Sequence, residues 1–278
     1  MKVLVTGANG QLGYDVVKEL QKRNIECIGV GREEFDITDA DATHNFIAEC
    51  NLNAVIHCAA YTAVDKAEDE PELCYLVNAV GTENIAKVCK EIDAKMIYIS
   101  TDYVFDGTKD GAYEVDDEPN PLNVYGKTKL EGEIAVQRIL EKYFIVRISW
   151  VFGTNGNNFV KTMLRLGKER KELNVVADQV GSPTYTVDLA RLLVDMLQTD
   201  RYGVYHATNE GYCSWAEFAE EIFKTAGLDV KVNHITSREY PTKAKRPMNS
   251  KLSKRRLINN NYKCLPNWKT AVEEYING

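Results

Sequence analysis

Thr6-Gly7-Ala8-Asn9-Gly10-Gln11-Leu12-Gly13 is the stretch whose reading decides the fold. It follows a short apolar, β-branched run, Lys2–Thr6, and opens a helical pattern over residues 11–23 with Leu12, Val16 and Leu20 at i, i+4 and i+8. Glycines at 7, 10 and 13 permit a tight turn, let the backbone approach a pyrophosphate, and let the helix pack closely on the strand. The helix start then offers unpaired N–H groups and a positive dipole end to phosphate. A glycine triplet by itself marks only a turn. Placed between a first strand and a first helix, it predicts a cradle for a dinucleotide.

Outward from this stretch the same rhythm continues. Residues 27–30, 54–58, 95–100 and 144–149 read as strands, and 42–50, 73–92 and 125–140 as helices. Alternation of this kind implies parallel strands joined by crossover helices, an α/β fold with a Rossmann-type doubly wound sheet. Continuous apolar runs such as Met96-Ile97-Tyr98-Ile99 suit a sheet covered on both faces.

Residues 1–150 are thus expected to form a dinucleotide-binding domain. Residues 151–278 would hold the remaining sheet strands and a smaller C-terminal substrate-binding lobe, with segments interleaved. There, helices are predicted at 158–170, 186–198 (with Thr186 as N-cap) and 267–276, and strands at 173–177, 203–207 and 230–235. Ser214-Trp215-Ala216-Glu217 is a capping box opening a further helix to about residue 226.

Composition narrows the function. The 278 residues are 44% hydrophobic and 27% charged, and 41 acidic against 34 basic side chains give a formal charge of −7. A sequence-independent nucleic-acid binder needs a basic face, so nucleic acid is not expected as a partner. No apolar run reaches the ~20 residues of a membrane span, and the N-terminus lacks a signal-peptide layout, so a cytoplasmic protein is expected. The seven cysteines are odd in number and form no Cys-x-x-Cys pair, which suits reduced thiols. His44, His57, His206 and His234 show no ligand spacing, and no metal is expected.

Tyr125-Gly126-Lys127-Thr128-Lys129 contains Tyr-x-x-x-Lys, which a helix places on one face. Reduction of a ketone by hydride needs a proton for the developing alkoxide, and a phenol of pKa ~10 is poorly matched to neutral pH. A neighbouring cation is expected to lower it. Ser100-Thr101-Asp102 ends the fourth strand, at the sheet edge where open parallel sheets bind ligands. A hydroxyl there can bond both the substrate oxygen and the tyrosine. The end of the second strand, Gly31-Arg32-Glu33, is expected to meet the adenosine ribose. Arg32 would accept an extra phosphate and an acidic residue would favour its absence, so NADPH and NADH both stay open.

Taken together these residues resemble the extended short-chain dehydrogenases and, within them, the dTDP-4-dehydrorhamnose reductase family. Ser100-Thr101-Asp102-Tyr103-Val104-Phe105-Asp106-Gly107, Ala59-Ala60-Tyr61-Thr62-Ala63-Val64-Asp65 and Tyr125-Gly126-Lys127-Thr128-Lys129 carry the likeness. Ile148-Ser149-Trp150-Val151-Phe152-Gly153, Asp178-Gln179-Val180-Gly181-Ser182-Pro183-Thr184 and Arg246-Pro247 extend it over nearly the whole chain. The resemblance implies Tyr125 as proton donor, Lys129 as its tuner and ribose partner, and Thr101 as carbonyl orienter. It implies Gly7, Gly10, Gln11 and Leu12 on the pyrophosphate and Asp36 and Ile37 near the adenine. Ala59, Ala60, Tyr61 and Thr62 would follow the ribose and nicotinamide. Val64, Tyr103 and Trp150 would shape a sugar pocket, with Asn158 and Arg246 toward a nucleotide diphosphate.

Some family members bind magnesium at a dimer interface. Asp15, Asp188 and Glu273 or Glu274 are the corresponding positions, and their shorter aspartates argue against it. The implied reaction is reduction of a nucleotide-linked 4-ketosugar by a monomer or homodimer, serving polysaccharide synthesis. Two other readings compete. A related epimerase or dehydratase is disfavoured by Tyr103, which stands where dehydratases typically carry Glu. A non-catalytic subunit, like the regulatory one of methionine adenosyltransferase, has no need of the retained hydroxyl, tyrosine and lysine.

Overall fold

Val3, Leu4 and Val5 of strand β1 (Lys2–Thr6) have no solvent exposure, and the sheet grows to both sides of them. The computed structural model describes residues 1–278. β1 lies between β2 (Glu26–Val30) and β3 (Ala54–His57), followed outward by β4 (Lys95–Thr101) and β5 (Tyr143–Ile148). The strand Gly203–His206 completes the edge beyond β5. All five pairings are parallel. Strand order reverses between β1 and β3, which opens a crevice above their C-terminal ends where α/β sheets hold ligands.

Two apolar layers explain why the strands read as unbroken hydrophobic runs. Helices Gln11–Lys22 and Thr186–Leu197 cover one face, burying Leu12, Val16, Leu189 and Leu193 against Val5, Ile97 and Val146. Helices Ala40–Glu49, Gly81–Glu91 and Val124–Ile139 cover the other, with Ile47, Ile85 and Val136 on Leu4, Val55 and Met96.

A third core belongs to the C-terminal half. Helices Phe159–Glu169, Trp215–Thr225 and Trp268–Asn277 pack Met163, Phe218 and Val272 together beside the parallel pair Glu172–Val176 and Lys231–Ile235. Ser214 caps its helix as read, accepting from Glu217 N while the Glu217 carboxylate accepts from Ser214 N. Ser214→Ala is expected to cost about 1 kcal/mol of stability, seen as a lower urea midpoint at unchanged slope.

Two local expectations are corrected. Residues 73–92 are not one α-helix: Pro71–Tyr75 passes into a five-residue π turn, Leu76–Val80, before Gly81–Glu91. The extra residue leaves the apolar pattern intact and turns Asn78 inward, where it is 1% exposed. Thr186 is the first residue of its helix rather than the N-cap, a place taken by Tyr185. Its hydroxyl instead donates to buried Asp15 on the facing helix. Asp188 accepts from Asn209 and Arg191, and Arg191 also reaches Glu274. All seven cysteines are free thiols. No helix is long and apolar enough to cross a membrane.

Candidate active site

The crevice is a cleft of about 770 Å³ whose walls are the loops leaving β1, β2, β3, β4 and β5. Gly7, Gly10, Gln11 and Leu12 line its floor at the start of the first helix. Gly7 has φ of +67°, and a Cβ there would stand 2.7 Å from Ala59 N. A Cβ on Gly13 would stand 2.2 Å from Gly7 O, so this glycine brings the helix onto the turn. The backbone surface left bare by these glycines fits a pyrophosphate, with the N–H groups of the helix start facing it.

Arg32, Asp36 and Ile37 lie at the β2 end of the cleft. Thr38 donates to Asp36 through its amide at 2.9 Å and its hydroxyl at 2.8 Å, and these bonds, aided by Arg32, hold the carboxyl below its usual range. Ile37 O accepts from Asn84 at 3.0 Å. Ala59, Ala60, Tyr61 and Thr62 form the wall after β3, with Val64 beyond them.

At the other end Thr101, Tyr125 and Lys129 converge. Asn123 caps the helix Val124–Ile139 by accepting from Gly126 N at 2.8 Å, which sets Tyr125 and Lys129 one turn apart over β4. Gly126 is required there, since a Cβ would meet Tyr103 O at 2.2 Å. The Thr101 hydroxyl, which donates to Asp102 Oδ1 at 3.2 Å, stands beside Tyr125, and Tyr103 meets the Tyr125 ring edge-on at 5.5 Å.

Electrostatics here reverses one expectation. Burial is the largest influence on Tyr125 and pushes its phenol up, against the pull of the Thr101 hydroxyl, with Asp102 and Tyr103 adding to the rise. Lys129 is 2% exposed, and burial draws it down to about 7 with its Nζ 4.1 Å from the Tyr98 ring centroid. Its charge is thus disfavoured by burial, and it does not offset the desolvation that raises Tyr125. Tyr125 stands protonated, in the form able to give a proton away.

Asp102 is buried and raised to about 6, chiefly by burial, against bonds from Ser250 and Thr101. A folded pKa above the unfolded value adds stability that is complete below the unfolded pKa and is lost as pH rises through 6. Wild type should therefore lose about 2–3 kcal/mol relative to Asp102→Asn between pH 4 and pH 7, read from urea unfolding at both pH values.

Trp150 adopts φ of +49°, unusual for a bulky side chain, and stacks on Trp215 at 3.7 Å. Its ring covers Gly181 and lines the cleft. Beyond it a second cavity of about 1380 Å³ opens into the C-terminal half, walled by Met163, Leu166, Trp215, Tyr240, Lys243 and Arg246.

The structure separates two candidates from the main cleft. Asn158 caps Phe159–Glu169 and donates to Gln11 Oε1 at 3.0 Å and Gly153 O at 2.8 Å, bracing the cradle from behind. Arg246 borders the second cavity, donates to Asp65 Oδ2 at 2.7 Å and faces Tyr103. Residues not anticipated include Asn155, which donates to Asn9 O at 2.7 Å, and Asn78, whose amide holds both Tyr61 N and Tyr61 O. Nothing local in the sequence marks either one.

A parallel sheet with a glycine cradle at its switch point, and a Thr-Tyr-Lys set across the same cleft, defines an oxidoreductase of the extended short-chain dehydrogenase class. The chain belongs to the family described as the RmlD substrate binding domain, whose model matches residues 1–278. It is 44% identical to a dTDP-4-dehydrorhamnose reductase of Aggregatibacter actinomycetemcomitans over 90% of this chain and 89% of that one. Among solved structures, a dTDP-4-dehydrorhamnose reductase of Clostridium acetobutylicum matches with a TM-score of 0.98 at 48% identity, covering 100% and 99% of the two chains. The enzyme of that name from Bacillus anthracis, in complex with NADP, matches at 0.97 and 43%, covering 99% and 98%.

Proposed function

We propose that this chain reduces the C4 keto group of dTDP-4-dehydro-L-rhamnose to give dTDP-L-rhamnose, using NADPH or NADH. The observation that carries the reading is the convergence of Thr101, Tyr125 and Lys129 at the end of a cleft that begins at the glycine cradle. The similar enzymes named for this reaction, one of them holding NADP, support it.

Gly7, Gly10, Gln11 and Leu12 would hold the cofactor pyrophosphate, Arg32, Asp36 and Ile37 its adenosine end, and Ala59, Ala60, Tyr61 and Thr62 the nicotinamide half. The bound reduced nicotinamide supplies hydride. The chain supplies the proton: the Thr101 hydroxyl, turned from Asp102, would donate to the keto oxygen and fix its position, and Tyr125 Oη would release its proton to that oxygen as negative charge grows on it. Lys129 would bond the nicotinamide ribose, and the phenolate left behind would draw it into its cationic form.

Val64, Tyr103 and Trp150 shape the sugar pocket. The nucleotide end of the substrate extends past Trp150 into the second cavity, where Arg246 offers its guanidinium to the diphosphate. Asn158 serves this arrangement through Gln11 rather than by contact.

Absorbance at the reduced-nicotinamide band, followed with dTDP-4-dehydro-L-rhamnose and either cofactor, tests the proposal. Loss of absorbance that requires the ketosugar supports it and ranks the cofactors. No loss with either cofactor, at concentrations where binding is seen, overturns the rhamnose assignment.

A further inference from the structure

Beneath the cleft, three buried side chains form a chain of hydrogen bonds between two backbone groups, and the geometry resolves its direction. Thr82 Oγ1 lies 2.7 Å from Asn78 O, a carbonyl that only accepts, so the one hydroxyl proton of Thr82 goes there. Thr82 Oγ1 must then accept from His57 Nε2, 3.1 Å away, which places the imidazole proton on Nε2. His57 Nδ1 is left as an acceptor for the Thr6 hydroxyl at 2.7 Å. Thr6 Oγ1 in turn accepts from Ala59 N at 3.3 Å. Every donor in the chain has one acceptor, and reversing any link strands a buried proton or sets two lone pairs against each other.

What the chain joins gives it a use. Thr6 ends β1 and leads directly into the glycine turn. His57 ends β3, opposite Thr6 in the sheet register, and leads into Ala59–Tyr61. Asn78, at the other end, accepts from Tyr61 N at 2.8 Å and donates to Tyr61 O at 3.1 Å. The π turn Leu76–Val80 is what presents Asn78 to both Tyr61 and Thr82. Thr6, His57, Asn78 and Thr82 are each 1% exposed or less. The two loops they tie approach so closely that a single Cβ on Gly7 would collide with Ala59 N. Around the imidazole, Tyr98 stacks at 5.7 Å and Lys129 is the charged group that acts on it. A second cation there would be repelled.

We propose that His57, held as the neutral Nε2–H tautomer between Thr6 and Thr82, is a positioning residue that sets the spacing of the two loops gripping the nicotinamide cofactor. It touches neither cofactor nor substrate. The proposal rests on the cofactor reading of the cleft given above.

Two measurements test it. Nitrogen-15 NMR of the histidine side chains in the whole protein, from pH 8 to pH 5, should show that the imidazole signal missing from His57→Gln is fixed as Nε2–H and does not titrate. An Nδ1–H tautomer for that signal, or its titration near 6.5, overturns the directional chain and the proposal with it. Dissociation constants for NADPH and for thymidine diphosphate are then compared in wild type, His57→Phe and His57→Gln. Phe keeps the ring and its stack on Tyr98 but removes both bonds, and should weaken NADPH about tenfold while leaving thymidine diphosphate unchanged. That is the ~1.4 kcal/mol expected for losing a buried hydrogen bond or two.

Gln restores a donor toward Thr82 and should recover part of the loss. Should His57→Phe fail to fold, Thr82→Val takes its place in the comparison. Unchanged NADPH affinity in the folded variant overturns the positioning role. A wild-type protein that binds neither NADPH nor NADH overturns the cofactor reading itself, and this proposal falls with it. That outcome is distinguished from the others because it is seen before any variant is made.

Discussion

Tyr125→Phe is expected to lower kcat by about 10³-fold while NADPH affinity stays within about twofold of wild type. The substitution removes one oxygen and little else. The ring keeps its place edge-on to Tyr103, and the Asn123 cap and Gly126 contact that position the helix are untouched. What disappears is the protonated phenol beside the Thr101 hydroxyl at the end of the cleft. Water can substitute for a missing general acid only poorly, because the proton must arrive as charge develops, and the loss should fall on kcat rather than KM. Steady-state rates with the ketosugar, set beside cofactor titration by fluorescence, make the check. A variant retaining more than about a tenth of wild-type kcat would remove Tyr125 from the proton-transfer step.

Glu133→Ala should destabilise the fold by about 3–5 kcal/mol, read from urea or thermal unfolding. Glu133 and Arg147 have side-chain exposures of 2% and 4%. The carboxylate accepts from Arg147 Nε at 2.9 Å, from Arg147 Nη2 at 2.7 Å and from Ser100 Oγ at 2.5 Å. Arg147 Nη1 donates to Val115 O at 3.2 Å, and the guanidinium lies 5.0 Å from the Phe105 ring centroid. Removing the acid leaves a guanidinium in the interior with no counter-charge, which costs far more than the intact pair contributes. Glu133→Gln keeps the shape and part of the bonding and should lose less. Equal stability of the Ala variant and wild type would mean that Arg147 finds water or another acceptor at no cost.

This ion pair also bears on chemistry. Glu133 lies one helical turn beyond Lys129, and its charge works against the burial that draws the lysine down. The Ser100 bond anchors the strand end that carries Thr101.

The parallel sheet could be read from the chain because its strands are buried on both faces, so each appears as an unbroken apolar run. The cleft residues could be read because a parallel sheet collects its strand ends on one edge, and short motifs at those ends become neighbours automatically. The failures share a different cause. Thr186 carries the side chain of an N-cap, but its partner is Asp15, 171 residues away. The π turn at Leu76–Val80 hides because one inserted residue barely disturbs an amphipathic pattern. His57 looks like any histidine of a buried strand, and only its two threonine neighbours decide which nitrogen carries the proton. The phenol of Tyr125 shifts with the desolvation of its whole surroundings, which no spacing records.

The strand Gly203–His206, paired in parallel with β5, sets an order of events at the ribosome. Until residue 206 has left the exit tunnel, the sheet ends at β5 with its N–H and C=O groups unpaired, and helix Thr186–Leu197 is not yet packed beside Gln11–Lys22. A nascent chain of 150 residues therefore carries Thr101, Tyr125 and Lys129 but has an open sheet edge and one apolar face covered only by Gln11–Lys22. Open edges and uncovered apolar surface favour aggregation, so pairing of Gly203–His206 and packing of Thr186–Leu197 remove that exposure together.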